Sequence, residues 1–186
     1  MDKEVERLCK TCHGCQVNSE FSRPEPIAGT LPPSGLWQDS AIDILGPLPT
    51  GENIFVIVDY CSRYFEAVIM KTVTSAKIVK ALEGIFGRLG LPYSLRSDNG
   101  SQFVSDAFQN FLRDNGVEHR RITPLAPWQN GECERQNRTL MKAIRIAHSE
   151  GKDWRREVTK FLIAHRSTPH SSTGATPFFL MYGREM

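Results

Sequence analysis

T-S-A-K-I-V-K-A-L-E-G-I-F-G-R-L-G-L-P-Y-S-L-R-S-D-N-G, residues 74–100, decides the fold. Ile78, Val79, Leu82, Ile85, Phe86 and Leu89 recur at helical spacing, so one face of a helix is apolar. Thr74 or Ser75 supplies the side-chain oxygen that caps its first turn. Gly90 closes it as a left-handed residue. Ser94–Ser97 then reads as a short strand that delivers Asp98 at its end. A helix leading straight into a strand that ends on an acid is the unit of an α/β sheet carrying a site at its strand ends.

On the N-terminal side, Trp37–Leu45, Ile54–Asp59 and Phe65–Met70 read as three strands, with Cys61-Ser62-Arg63-Tyr64 as the turn between the last two. On the C-terminal side come a helix over Ser105–Asn115 closed by Gly116, a fifth strand over Glu118–Ile122, and helical patterns over Gly131–His148, Asp153–Ala164 and Thr176–Met181. An antiparallel meander followed by helix-linked strands predicts a mixed five-stranded α/β sheet flanked by helices.

The chain has 186 residues, 40% hydrophobic and 24% charged, enough for one domain with a real core. No apolar run approaches the ~18 residues of a membrane span, and the charged start M-D-K-E-V-E-R carries no secretory pattern. The expectation is an intracellular protein whose five cysteines are thiols or metal ligands rather than disulfides. Net charge is only +2, but it is unevenly spread. His119–Arg166 holds 11 Lys/Arg against 5 Asp/Glu, while the first 118 residues hold 11 against 15. A basic second half beside an acidic first half fits a phosphate-tracking surface next to a carboxylate metal site, and equally fits an ordinary solvated helix face.

Three acids stand at element boundaries: Asp43 in A-I-D-I-L-G-P-L-P, Asp98 in R-S-D-N-G-S-Q-F and Glu134 in N-G-E-C-E-R-Q-N-R, with 35 residues between the last two. Each has an ordinary reading: a strand-end acid, an Asx turn, or an ion pair with Arg138 one helical turn on. They converge if the first and fourth strands are neighbours. Three carboxylates then hold two hard cations, Mg²⁺ or Mn²⁺, at the ~3.5–4 Å separation that phosphodiester chemistry uses. Asp39 and Asp59 are rivals for the first position; Asp59 could instead hold the hairpin through Ser62 or Arg63.

These motifs closely resemble the integrase catalytic core of retroviruses and LTR retrotransposons, the gypsy class above all. R-S-T-P-H-S-S-T-G-A-T-P-F-F-L-M-Y-G-R, residues 166–184, resembles the segment that follows the core in that class. The resemblance runs from about Trp37 to Arg184. It implies an RNase H-like fold, a triad of Asp43, Asp98 and Glu134 that is both catalytic and metal-binding, and a two-metal reaction. In that reaction water trims the element's DNA ends, and the freed 3′-hydroxyl then joins them to target DNA. One departure is T-P-L-A-P-W-Q-N-G, residues 123–131, where the family commonly has Trp ahead of the Pro and a Pro-Gln-x-Asn-Gly ending.

Gln129, Asn130, Gln136, Asn137, Arg138, Lys142 and Arg145 are the expected DNA contacts, the last three sharing one helix face. His119 reads as structural, because a carboxylate mechanism needs no histidine. Gly100 is expected to supply a positive φ after Asp98. At the other end, Cys12-His13-Gly14-Cys15 has the bite of a zinc ligand pair. In the resembled family a His-His-Cys-Cys zinc domain precedes the core. Residues 1–20 read as a partial copy of that domain, binding Zn²⁺ only if completed, residues 21–36 as a proline-rich linker, and residues 37–186 as the core. The partners implied are element and target DNA and further copies of the chain. The competing expectation is a domesticated or truncated remnant that binds nucleic acid without catalysis.

Overall fold

The structure is a computed structural model; it describes Thr11, residues 35–122 and residues 131–186, with the side chains of residues 131–135 outside the description. The chain divides into two compact units, Met1–Leu31 and Pro32–Met186, and everything below concerns the second. Among the described residues it forms β1 Asp39–Leu45, β2 Asn53–Asp59, β3 Phe65–Met70, α1 Ser75–Leu89, β4 Ser94–Ser97, α2 Ser101–Val104, α3 Asp106–Asp114, β5 Glu118–Arg121, α4 Gly131–Ser149, α5 Trp154–Ser167 and α6 Pro177–Tyr182.

The sheet order is β3-β2-β1-β4-β5. β1 and β2, like β2 and β3, run antiparallel, while β1–β4 and β4–β5 are parallel. The first and fourth strands are therefore neighbours, as convergence of the acids requires. β2 reads I-F-V-I-V without alternation because both faces are covered. Phe55 and Ile57 pack with Ile42, Ile78, Leu82, Ile85, Phe103 and Phe108 on the α1/α3 side. Ile54, Val56 and Val58 pack with Ala41, Phe65, Leu140, Ile144 and Val158 on the α4/α5 side. Both clusters are dry at their centres, so β1 and β2 form the firm platform of the molecule.

Local chemistry sets the element ends. Thr74, not Ser75, caps α1 by accepting from the Lys77 amide, while the Ser75 hydroxyl donates to the Gln102 carbonyl at 2.9 Å. Gly90 has the expected positive φ, 84, but ψ 179, so it closes α1 in a glycine-favouring conformation other than the left-handed helical one. Trp37 does not open β1: its φ is 57, a turn conformation. There its backbone amide donates to Asp59 and its indole N–H to the Gly90 carbonyl. Gly100 is a correction, because its φ is −54. A Cβ there would meet the amide end of the flexible Gln102 side chain and lie 3.1 Å from Asp98 Oδ1.

Candidate active site

Asp43 lies on β1, two residues beyond Ala41 and thus on the sheet face that α4 and α5 cover. Its Oδ1 accepts from its neighbour's amide, Ile44 N, at 2.8 Å, and its Oδ2 accepts from Asn137 Nδ2 of α4 at 2.7 Å. Asn137 is buried, so α4 is pinned to the middle of the sheet through the Asp43 carboxylate itself.

Asp98 follows the last residue of β4. In the β1–β4 ladder Asp39 pairs with Ser94, Ser40 with Leu95 and Ala41 with Arg96. Continued two residues past its last pair, the same offset would match Asp43 with Asp98, which lies just beyond the end of β4. Asp98 is exposed. Its Oδ1 accepts from the Gly100 amide at 3.0 Å, the Asx turn expected of D-N-G. Asn99 Nδ2 donates to the Ile122 carbonyl at 3.1 Å, tying the turn to the end of β5. Glu134 lies in the first turn of α4, three positions before Asn137; its side chain is outside the description. Among the described residues no three His, Cys, Asp or Glu side chains cluster as a metal site.

Both rival acids are engaged elsewhere. Asp59 is wholly buried; its Oδ1 accepts from Trp37 N at 3.1 Å and its Oδ2 from Ser62 N and Ser62 Oγ at 2.8 and 2.6 Å. It holds the hairpin through Ser62, one of the two ways the sequence suggested. Asp39 accepts from the Ser94 hydroxyl and from Arg120 Nη1, the latter at 3.1 Å.

Behind Asp98 runs a chain of side chains that sequence spacing did not reveal. Gln109 Nε2 of α3 lies 2.7 Å from the Phe103 carbonyl and 2.7 Å from His119 Nδ1. His119 Nε2 lies 2.8 Å from Ser97 Oγ, and Ser97 Oγ donates to the Asp98 carbonyl at 2.8 Å. Burial, with Arg121 nearby, pushes the His119 imidazole below its ordinary range, so the ring is neutral. On the opposite face Arg96 sits one ladder step behind the two acids, its Cζ 5.0 Å from the Tyr60 ring centroid. Its Nε is buried and makes no hydrogen bond.

The expected DNA contacts fall into two groups on α4. Arg138, Lys142 and Arg145 are exposed, and among the described residues none forms an ion pair. Gln136 and Asn137 are buried. Asn137 turns to Asp43, and Gln136 lines a cavity between α4 and α5 with Thr139, Phe161 and His165. Gln129, Asn130, Cys12 and Cys15 lie outside the described residues.

Comparison with known proteins agrees with this architecture. The integrase core domain family matches residues 33–127, and a second family of the same description matches residues 115–177. An uncharacterized protein of Caenorhabditis elegans is 33% identical over 187 residues, covering 100% of this chain and 15% of that protein. The Pol polyprotein of Feline endogenous virus ECE1 is 32% identical over 186 residues, covering 97% of this chain and 18% of the polyprotein. The chain thus spans less than a fifth of these curated relatives. A simian T-cell lymphotropic virus intasome in complex with a PP2A regulatory subunit superposes with a TM-score of 0.78 at 20% identity, covering 99% of this chain and 68% of that one. The HTLV-2 integrase catalytic core domain in complex with magnesium superposes with a TM-score of 0.67 at 19% identity, covering 80% of this chain and 99% of that one. These two likenesses establish the fold as RNase H-like, a mixed five-stranded sheet flanked by helices. With the family matched over more than half its length, the chain belongs to the integrase core domain family and has the catalytic-core architecture of retroviral and retrotransposon integrases.

Proposed function

We propose that this chain is the catalytic core of an LTR-retrotransposon integrase of the gypsy class, which processes the 3′ ends of element DNA and joins them to target DNA. The observation that carries the reading is the register of β1 and β4. Its offset, continued past the last pair, matches Asp43 with Asp98 just beyond the end of β4, and the helix that bears Glu134 is fastened to Asp43 through Asn137. Glu134 and Asn137 are three apart, the spacing that puts two residues on one side of a helix.

The donor set fits a hard divalent cation. Both carboxylates offer oxygens, and among the described residues nothing bonds Asp98 Oδ2. Asp43, Asp98 and Glu134 would hold two Mg²⁺ or Mn²⁺ ions. Bound there, such ions supply activation of the attacking hydroxyl and neutralisation of the departing 3′-oxygen. The chain's own contribution is positional. Asn137 orients the Asp43 carboxylate, and the Asx turn at Gly100 orients that of Asp98. Arg138, Lys142 and Arg145 recur at i, i+4 and i+7 and give DNA phosphates a basic path along α4. Contacts of that kind hold the duplex without reading its sequence. Joining two DNA ends calls for at least two such sites, so the working form is a multimer, acting in the nucleus on host DNA. A zinc site at Cys12 and Cys15 belongs to this reading only as part of a larger upstream domain.

The test is disintegration, in which a branched DNA resembling the joined product is resolved in Mn²⁺ or Mg²⁺. Resolution by the wild type, lost in Asp98→Asn, is the expected result. Folded wild-type protein that binds the branched DNA and leaves it intact would favour a remnant that binds without catalysis.

A further inference from the structure

We propose that His119 is a positioning residue for Asp98: as a neutral ring protonated on Nε2, it relays a one-way chain of hydrogen bonds from α3 to the Asp98 peptide. This rests on the role given to Asp98 above.

The protons along the chain can be assigned without choice. The Gln109 amide nitrogen has two hydrogens and two acceptors, the Phe103 carbonyl and His119 Nδ1. An amide NH₂ only donates, so Nδ1 must accept and carries no proton. A neutral imidazole then has its proton on Nε2, which donates to Ser97 Oγ. The Ser97 hydroxyl accepts that bond and donates its own hydrogen to the Asp98 carbonyl, which can only accept. Each link fixes the direction of the next. Turning the Gln109 amide over would set its oxygen against the Phe103 carbonyl oxygen, so the alternative tautomer is disfavoured at both ends of that amide.

The setting makes the chain stiff. The His119 ring meets Phe108 edge-on, centroids 5.3 Å apart, and Ser97 is fully buried. Ser97 is also the last residue of β4, its carbonyl accepting from Ile122 N at 2.9 Å. Asp98 beyond it is exposed and has left the strand. The hydroxyl bond to its carbonyl therefore fixes the peptide plane where the ladder stops. The chain thus ties α3 to the residue that carries the Asp98 carboxylate.

The test uses full-length protein labelled with ¹⁵N at histidine and ¹³C at backbone carbonyls. Long-range ¹H–¹⁵N spectra at neutral pH should show His119 protonated on Nε2 alone. Ser97→Ala and His119→Phe, which keep volume but break the chain, should shift the Asp98 carbonyl resonance. Ser97→Thr and His119→Gln restore a hydroxyl and a terminal N–H, and should bring the resonance back toward its wild-type position. In the disintegration assay the first pair should lose about tenfold in kcat at saturating DNA with KM unchanged, and the second pair should recover most of it. A proton on Nδ1, or an Asp98 resonance and kcat indifferent to Ser97→Ala and His119→Phe, would overturn the proposal. A wild type without activity whose tautomer and resonances behave as stated would retire the integrase reading and leave the positioning chain standing.

Discussion

The end of β2 and the ends of β1 and β4 both carry aspartates, and they use them in opposite ways. Asp59 is wholly buried, and its carboxylate accepts from two backbone amides and one hydroxyl. Asp98 is exposed and accepts from one amide. Asp43 is half-buried and accepts from its neighbour's amide and from the Asn137 side chain. A carboxylate surrounded by protein donors is a fastening, since its lone pairs are already engaged. A carboxylate with an oxygen that nothing bonds among the described residues, as Asp98 has in Oδ2, can take a cation. The lesson is that position at a strand end is shared by both kinds, and burial among protein donors separates them.

The largest expected effect is on catalysis. Asp98→Asn, Asp43→Asn and Glu134→Gln should each abolish detectable disintegration and strand transfer, with Asp98→Asn leaving the thermal midpoint within a degree or two of wild type. Normal strand transfer by any of them would remove that residue from the triad. Asp59→Ala should do the reverse: it strips three buried donors of their acceptor, and destabilisation of about 3 kcal/mol follows from leaving such groups unmet. Chemical denaturation measures that, and protein that remains folded should still cleave. Equal stability of Asp59→Ala and wild type would erase the contrast between the two regions.

A smaller effect concerns the surface of α4. Charge reversal at Lys142 and Arg145 should weaken DNA binding and make its log–log salt dependence shallower by about 2, since each neutralised phosphate adds on the order of 0.9 to the slope. Anisotropy titrations at several salt concentrations would show it, and an unaltered slope would make this face merely solvated.

Much of this was legible beforehand. The apolar repeat from Ile78 to Leu89 and the β-rich runs at Ile54 and Phe65 set the sheet and its helices, because a helical period marks α1 and short continuous apolar runs mark strands covered on both faces. Asp43 and Asp98 were found from motifs at element boundaries, and their neighbouring strands agree. The helix α2 was not foreseen, since Gly100 gives it no side-chain cap and it lasts only four residues. Gly100 has φ −54 where a positive φ was expected, because a D-N-G turn closes through the Asp98 carboxylate with the glycine in an ordinary conformation. The His119 chain joins residues 22 and 10 apart in sequence. No periodicity marks such a link, since it exists only once β4, β5 and α3 are stacked. The same holds for Asn137, read as a DNA contact and found against Asp43.

The smallest effect is a dependence on pH. Burial holds His119 below its ordinary value of 6.5, so the unfolded chain takes up the proton first as pH falls. Its stabilisation is complete above that value and drains away as acid drives the ring toward protonation in the folded state. Arg121 opposes the added charge, while Gln109, Ser97 and Phe108 offer none to balance it. Denaturation midpoints measured from pH 7.5 down to 5 should fall less steeply in His119→Gln than in the wild type, and parallel curves would count against this account of the ring.

The most direct measurement is anomalous diffraction from crystals soaked in Mn²⁺. A manganese peak within coordination distance of carboxylate oxygens of both Asp43 and Asp98 is the predicted result, and it would join the two strand ends in one metal centre. Full occupancy elsewhere on the protein, with neither aspartate touching the ion, would contradict it.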